Sequence, residues 1–272
     1  MSKATALIKY EKSALALQDK LDDMLAKIVN DMEKIILRDV AKTLKKGGNS
    51  ISLVEKLYRA EFWKDNQEVL YGKKATLLNN FFRAYKKDIN ALKVLYPKSE
   101  FNIMSIGQQL EDFDKFLTSE LDIVKLMGVS KPDAIGLVRM AQFGNITDSK
   151  ELIDLIEGSL KAPVSHMKTR LYTTQSAVYR KNRANFYRTI KEGGKKYIYS
   201  GVQDGVTRKF CRHQGGKIRT KKEWQSIDNG QVGNAWDFGG GYNCRHSIYL
   251  VTNNWTNEEV EELKKDFTAK EV

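Results

Sequence analysis

The chain has 272 residues, 41% hydrophobic and 29% charged, with 46 Lys and Arg against 34 Asp and Glu for a net charge of +12. That is enough apolar material for one large domain or two modest ones, and it argues against wholesale disorder. Three prolines and 19 glycines exclude collagen-like and Pro-rich sequence. No apolar run approaches a membrane span, the N-terminus lacks a basic-then-apolar leader, and two cysteines do not make a disulfide framework.

In chain order, residues Ala4 to Lys46 carry one long helical pattern, with Leu7, Tyr10, Leu15, Leu17, Leu21, Met24, Leu25, Ile28, Met32, Ile35, Ile36 and Val40 near helical spacing. Gly47-Gly48-Asn49-Ser50 is a stop signal. Helical patterns follow at Leu53–Phe62, Thr76–Leu95, Ile106–Leu126 and Lys150–Ile156, with Pro97, Pro132 and Pro163 near the joints. Pro132 marks a helix start. A long amphipathic helix is expected from Val164 to Glu192. Its apolar side holds Met167, Leu171, Val178, Tyr179, Phe186 and Ile190. Arg180, Lys181, Arg188 and Lys191 fall on the other side, Arg183 at its edge, and Gly193-Gly194 closes the helix.

Beyond Gly194 the texture changes. Lys196–Ser200 is β-like, and further short strands are expected at Gly216–Arg219, Ala235–Phe238 and Ser247–Val251. A short acidic helix starts at Thr256 or Asn257, with Glu258 and Glu259 in its first turn. The fold class is therefore α+β: an extended helical N-terminal region, a long amphipathic helix, and a small C-terminal α+β module. The expected division is 1–162 and 163–272, with the second part folding without the first.

The charge is unevenly spread. From Lys161 to Gln225 stand 17 Lys and Arg against 3 Asp and Glu, which leaves the remainder slightly acidic. Such a block suits a polyanion, nucleic acid first. The candidate phosphate-contacting residues are Arg180, Lys181, Arg183, Arg188, Lys191, Lys195 and Lys196. No zinc-finger or RNA-binding signature offers base readout, so the expected binding is independent of sequence.

Both cysteines and two of the three histidines lie in the module, as Cys211-Arg212-His213 and Cys244-Arg245-His246. Cys211, His213, Cys244 and His246 form a legitimate zinc set by ligand type, although one intervening residue is shorter than the usual spacing. Packing of two buried free thiols and a disulfide are the alternatives. A metal-independent nuclease is chemically sensible too, with His213 or His246 as the acid–base group and Arg208 or Arg245 on the phosphate. A structural Asp204–Arg208 ion pair, with Arg245 bracing a carboxylate or carbonyl, is favoured over that reading. Gly239-Gly240-Gly241 lacks the Lys-Ser/Thr of a phosphate-binding loop.

The run Tyr199, Asp204, Arg208, Cys211 and Gly216, followed by Gly240-Gly241-Tyr242-Asn243-Cys244-Arg245-His246, resembles the C-terminal domain of the Mu F-like phage head morphogenesis (minor head protein) family over about 165–252. Some relatives carry further cysteines where His213 and His246 stand here. The resemblance implies a low-copy virion protein inside the procapsid near the portal, made in the host cytoplasm. Its implied partners are the portal protein, packaged double-stranded DNA, and scaffold or major capsid protein, with no membrane. Head assembly, packaging or ejection is the implied role, and a small nuclease or toxin-like enzyme on the same module is the alternative.

Overall fold

The computed structural model describes residues 2–45, 60–102, 105–123, 126, 149–201 and 203–267. Its elements are α1 (Lys3–Lys45), α2 (Ala60–Leu95), α3 (Ser105–Glu120), α4 (Ser149–Thr189), β1 (Lys196–Ser200), α5 (Lys209–Gln214), β2 (Ile218–Arg219), α6 (Lys221–Ser226), α7 (Ala235–Phe238), β3 (Ser247–Val251) and α8 (Asn257–Phe267). The stop signal at 47–50, most of the helix expected at 53–62, and the helix start at Pro132 lie outside the described residues.

The three strands form one antiparallel sheet in the order β2-β1-β3. Lys196 faces Val251 and Ser200 faces Ser247 across β1 and β3, while Tyr197 faces Arg219 across β1 and β2. Both long strands are covered on both faces: only Lys196 of β1 is exposed, and β3 is buried throughout. This is why they read as continuous apolar runs instead of alternating ones. The fold is thus α+β, dominated by helices, as the sequence leads one to expect.

Several elements differ from expectation: α2 runs unbroken through 63–75, between two expected helices, and the sequence patterns do not predict α5 and α6. Ala235–Phe238 is a helical turn, not a strand. Asn234 accepts a hydrogen bond from the Asp237 N–H and caps it, while Gly239 ends it with φ of 58°. Pro163 lies inside α4, which runs through the joint anticipated there. The ring leaves the residue 159 carbonyl without its usual partner, but the rest of the helix is held by buried Leu160, Val164, Met167 and Leu171. At the other end of the chain, Thr256 Oγ1 accepts from the Glu259 N–H while the Glu259 carboxylate accepts from the Thr256 N–H. This is a reciprocal cap on the acidic helix.

The chain divides into two compact units, neither of them a consecutive stretch. One comprises Met1–Asp22, Asn80–Phe113 and Tyr172–Val272; the other comprises Asp23–Asn79 and Asp114–Leu171. The division expected at 162–163 falls within α4 instead.

The Asp23–Asn79/Asp114–Leu171 unit is all helical in its described part, with Leu25, Met32, Trp63, Leu70, Leu117 and Leu160 in its core. Ion pairs fix its rim: Lys73 to Asp31 at 2.5 Å, Lys74 to Asp114 at 2.7 Å, and Arg170 to Glu120 at 2.6 Å.

The other unit joins the sheet to three helical segments. Tyr96 Oη donates to the Leu250 carbonyl at 2.6 Å, Gln18 Nε2 donates to Ser176 Oγ at 2.6 Å, and Lys3 Nζ donates to the Asn254 carbonyl at 2.6 Å. At its centre Arg183, 2% exposed, pairs with Asp88 at 3.1 Å. Tyr10 and Tyr179 hydroxyls each donate to Asp88 Oδ1 at 2.5 Å, and Arg183 donates to Tyr249 Oη at 3.1 Å. Nearby, Glu11 is buried and bonded to Ser200.

Burial raises the Glu11 carboxyl to about 7 from 4.5, against the lowering influence of its Ser200 hydrogen bond, Arg183 and Lys12; Asp266 adds to the rise. A raised carboxyl keeps its proton in the folded chain while the unfolded chain has already lost it. Stability therefore falls as pH climbs from about 4.5 to 7, by an order of about 3 kcal/mol. In urea titrations across that range, Glu11→Gln is expected to abolish most of this slope.

The interleaving argues against 163–272 folding unaided. Such a fragment lacks Tyr10, Asp88 and Tyr96 and leaves Arg183 without its carboxylate, a loss of about 3–5 kcal/mol for the broken pair alone. We expect it to be aggregated or to give collapsed amide spectra; dispersed signals from a monomer would contradict the shared core.

Candidate functional site

The motif residues converge below β1, inside the unit that holds the sheet. Cys211 is brought by α5, Cys244 and His246 by the segment leading into β3, and Tyr199 by β1 itself. All four are buried. The two sulfurs are 3.8 Å apart as free thiols, and Cys244 Sγ is 3.8 Å from His246 Nδ1. Tyr199 Oη lies 3.4 Å from Cys211 Sγ and 3.7 Å from Cys244 Sγ, and its ring stacks on His246 with an interplanar angle of 12°.

The approach depends on backbone shape. A side chain on Gly240 would collide with Cys211 Sγ, and one on Gly239 would come within 2.9 Å of Cys244 Sγ. Asn243, just before Cys244, has φ of 53°, a left-handed conformation that Asn tolerates better than other residues with a Cβ. That supplies a physical reason for Asn in the Asn-Cys-Arg-His segment.

His213 does not join the group. Within the helix α5, residues 211 and 213 point about 200° apart, so burying Cys211 turns His213 to solvent. It is exposed, with Lys217 Nζ 2.7 Å from its Nε2. Cys244 and His246 lie in extended chain, where alternate residues share a side. Three of the four anticipated ligands therefore come together.

The electrostatics of the pair are asymmetric. Cys244 Sγ accepts backbone N–H groups from Gly240 at 3.0 Å and His246 at 3.4 Å. The Cys211 thiol, followed by His246 and the Arg180 guanidinium, holds the Cys244 thiol well below its ordinary range against the opposing effect of burial. Cys211 moves the other way, raised by its hydrogen bond to Cys244 and by burial. The hydrogen bond between the two sulfurs thus favours negative charge on Cys244 over Cys211.

Arg180 and Arg183 are corrections to the expected phosphate-contacting face. Arg180, 7% exposed, donates to the His246 carbonyl at 2.9 Å through Nε and to the Cys244 carbonyl at 2.5 Å through Nη2. It braces the cysteine–histidine segment. Arg183 belongs to the buried pair with Asp88. Both lie where the polar side of α4 meets its packed side, Arg180 against the segment leading into β3 and Arg183 against Asp88 and Tyr249. Of the remaining candidates, Lys181, Arg188 and Lys196 are exposed, Lys191 is exposed and paired with Glu100, and Lys195 donates to the Tyr187 and Arg188 carbonyls near the end of α4.

The other motif residues have structural partners. Arg245 pairs with Asp204 at 2.5 Å and lowers its carboxyl, so Arg245, not Arg208, is the partner of Asp204. Arg208 Nη1 donates to the Gly240 carbonyl at 3.2 Å, the Gly216 N–H donates to the Tyr199 carbonyl, and Gly241 carries φ of 101°.

Sequence reasoning missed an open concavity of about 870 Å³ beside β2, lined by Lys196, Lys217, Arg219 and Lys264 with Glu223 as its acidic member. The dense cations at 217–222 were the available signal, hidden by attention to the helix. Among the described residues no helix is long and apolar enough to cross a membrane. Comparison with known proteins finds no matching protein-family model, curated protein or solved structure.

Proposed function

We propose that the chain is a phage minor head protein of the Mu F-like type, which sits with the portal inside the procapsid and contacts packaged DNA without reading its sequence. The observation that carries this reading is the convergence of residues far apart in the chain. Arg245 pairs with Asp204, Arg208 bonds the Gly240 carbonyl, and Cys211 meets Cys244 and His246, so the two halves of the motif build one braced node. A chance string of residue types has no reason to gather in this way. The DNA part rests on exposed cations: Lys181, Arg188 and Lys196 together with the basic concavity beside β2. Phosphate neutralisation by such groups needs no base contacts.

Two measurements test the reading. Full-length protein is expected to bind duplexes of unrelated sequence equally, with affinity falling steeply in salt. Changing Lys181, Arg188, Lys196 and Lys217 together to Gln should weaken all duplexes alike and flatten the salt slope by up to about 3–4. Absence of binding by the unaltered protein at low salt rules out the DNA role. Separately, co-expression with portal, scaffold and major capsid proteins of the same phage should yield procapsids that retain the chain at low copy; procapsids consistently free of it rule out the head role.

A further inference from the structure

We propose that Cys211, Cys244 and His246 hold a zinc ion that ties α5, the glycine turn and the start of β3 together. Three observations carry this beyond the proximity of the side chains. The first is the spacing. Sulfurs 3.8 Å apart are far outside a disulfide bond of about 2.05 Å. They match the edge of a tetrahedron with zinc–sulfur bonds of about 2.3 Å, which is ~3.8 Å long. The corresponding sulfur-to-nitrogen edge is ~3.6 Å, and Cys244 Sγ to His246 Nδ1 is 3.8 Å. All three ligand atoms lie within 4.8 Å of one another.

The second is the treatment of the sulfur. Two backbone N–H groups point at Cys244 Sγ, from Gly240 and His246, and the Arg180 guanidinium braces the carbonyls of the same segment. Such donors stabilise a thiolate, the form that binds metal. The third is the imidazole. His246 is 4% exposed, its Nδ1 faces only sulfur, and its Nε2 has no hydrogen-bond partner. A buried histidine with neither nitrogen on an oxygen or nitrogen partner is unsatisfied as it stands.

Thiolate with imidazole is a soft-to-borderline donor set that suits a tetrahedral d10 ion. Tyr199 Oη lies beside the three ligand atoms, 3.4 and 3.7 Å from the two sulfurs. Zinc takes cysteine as thiolate and histidine through an unprotonated ring nitrogen, so binding releases to solvent the protons those groups carry.

The test uses full-length protein, purified under reductant, freed of metal by chelator, and given zinc or cobalt(II) in turn. Elemental analysis after gel filtration should return one zinc per chain, and the cobalt form should show a thiolate charge-transfer band and the intense visible bands of a tetrahedral site. The metal-free protein should titrate two free thiols and melt at a lower temperature than the zinc form. His213→Ala should keep the metal, whereas Cys244→Ser and His246→Ala should weaken it at least tenfold. Should those variants fail to fold, the unaltered protein still decides. Folded, reduced protein with two free thiols that retains only sub-stoichiometric zinc and gives cobalt no thiolate band overturns the proposal. So does recovery of the cysteines as a disulfide under the reducing conditions used, or loss of metal in His213→Ala equal to that in His246→Ala.

Discussion

The pair between Arg183 and Asp88 is the constraint around which the sheet-bearing unit is arranged. Both charges are out of water, so their attraction is largely offset by lost hydration. What makes the pair tolerable is its company. Asp88 accepts from Arg183, Tyr10 and Tyr179; Arg183 also donates to the Tyr179 and Tyr249 hydroxyls and lies over the rings of Tyr10, Tyr179 and Tyr249. These partners come from α1, α2, α4 and β3. A shift of any one of them by a turn or a residue pair leaves a charge or a hydroxyl stranded in the core. The cluster adds specificity more than net stability, as buried polar networks do when every member is satisfied.

Much of the C-terminal part was legible because its signals are local. β1 and β3 are where the apolar runs put them, and Thr256 with Glu259 announces α8. The long-range arrangement was not legible. On a helical wheel Arg180 belongs to a wet basic back and Arg183 to its edge, and nothing in α4 alone says that other segments will bury these two while Lys181 and Arg188 stay exposed. The clue lay elsewhere, in the tyrosines at 10, 179 and 249 and in Asp88, whose meaning emerges only when four segments meet. Ala235–Phe238 was misread for a related reason: four residues are too few for periodicity to decide, and the capping Asn234 outweighs their β-like composition.

The candidate site shows the same division. Residue types identified the cysteines and histidines, and the resemblance drew attention to Asn243-Cys244-Arg245-His246. Which histidine turns inward depends on local backbone: two residues along a helix reverse a side chain's direction, and two residues along an extended segment restore it. The repeated Cys-Arg-His therefore looks symmetric in sequence and is asymmetric in space. Arg180 was invisible as a brace because its partners are carbonyl groups, which every residue carries.

The order in which the unit's parts are joined has a consequence for synthesis. Lys3 donates from its backbone to Glu259, Thr5 bonds Glu262, and Glu11 bonds Ser200. Helix α1 thus waits for a strand and a helix made more than 180 residues later. Until then its apolar stripe has no native cover from that quarter, and closing so long a loop is the slow step for folds of high contact order. Until Ser200, Glu259 and Glu262 have been made, α1 stays half-covered, and an apolar stripe left open in that interval is exposed to misassembly.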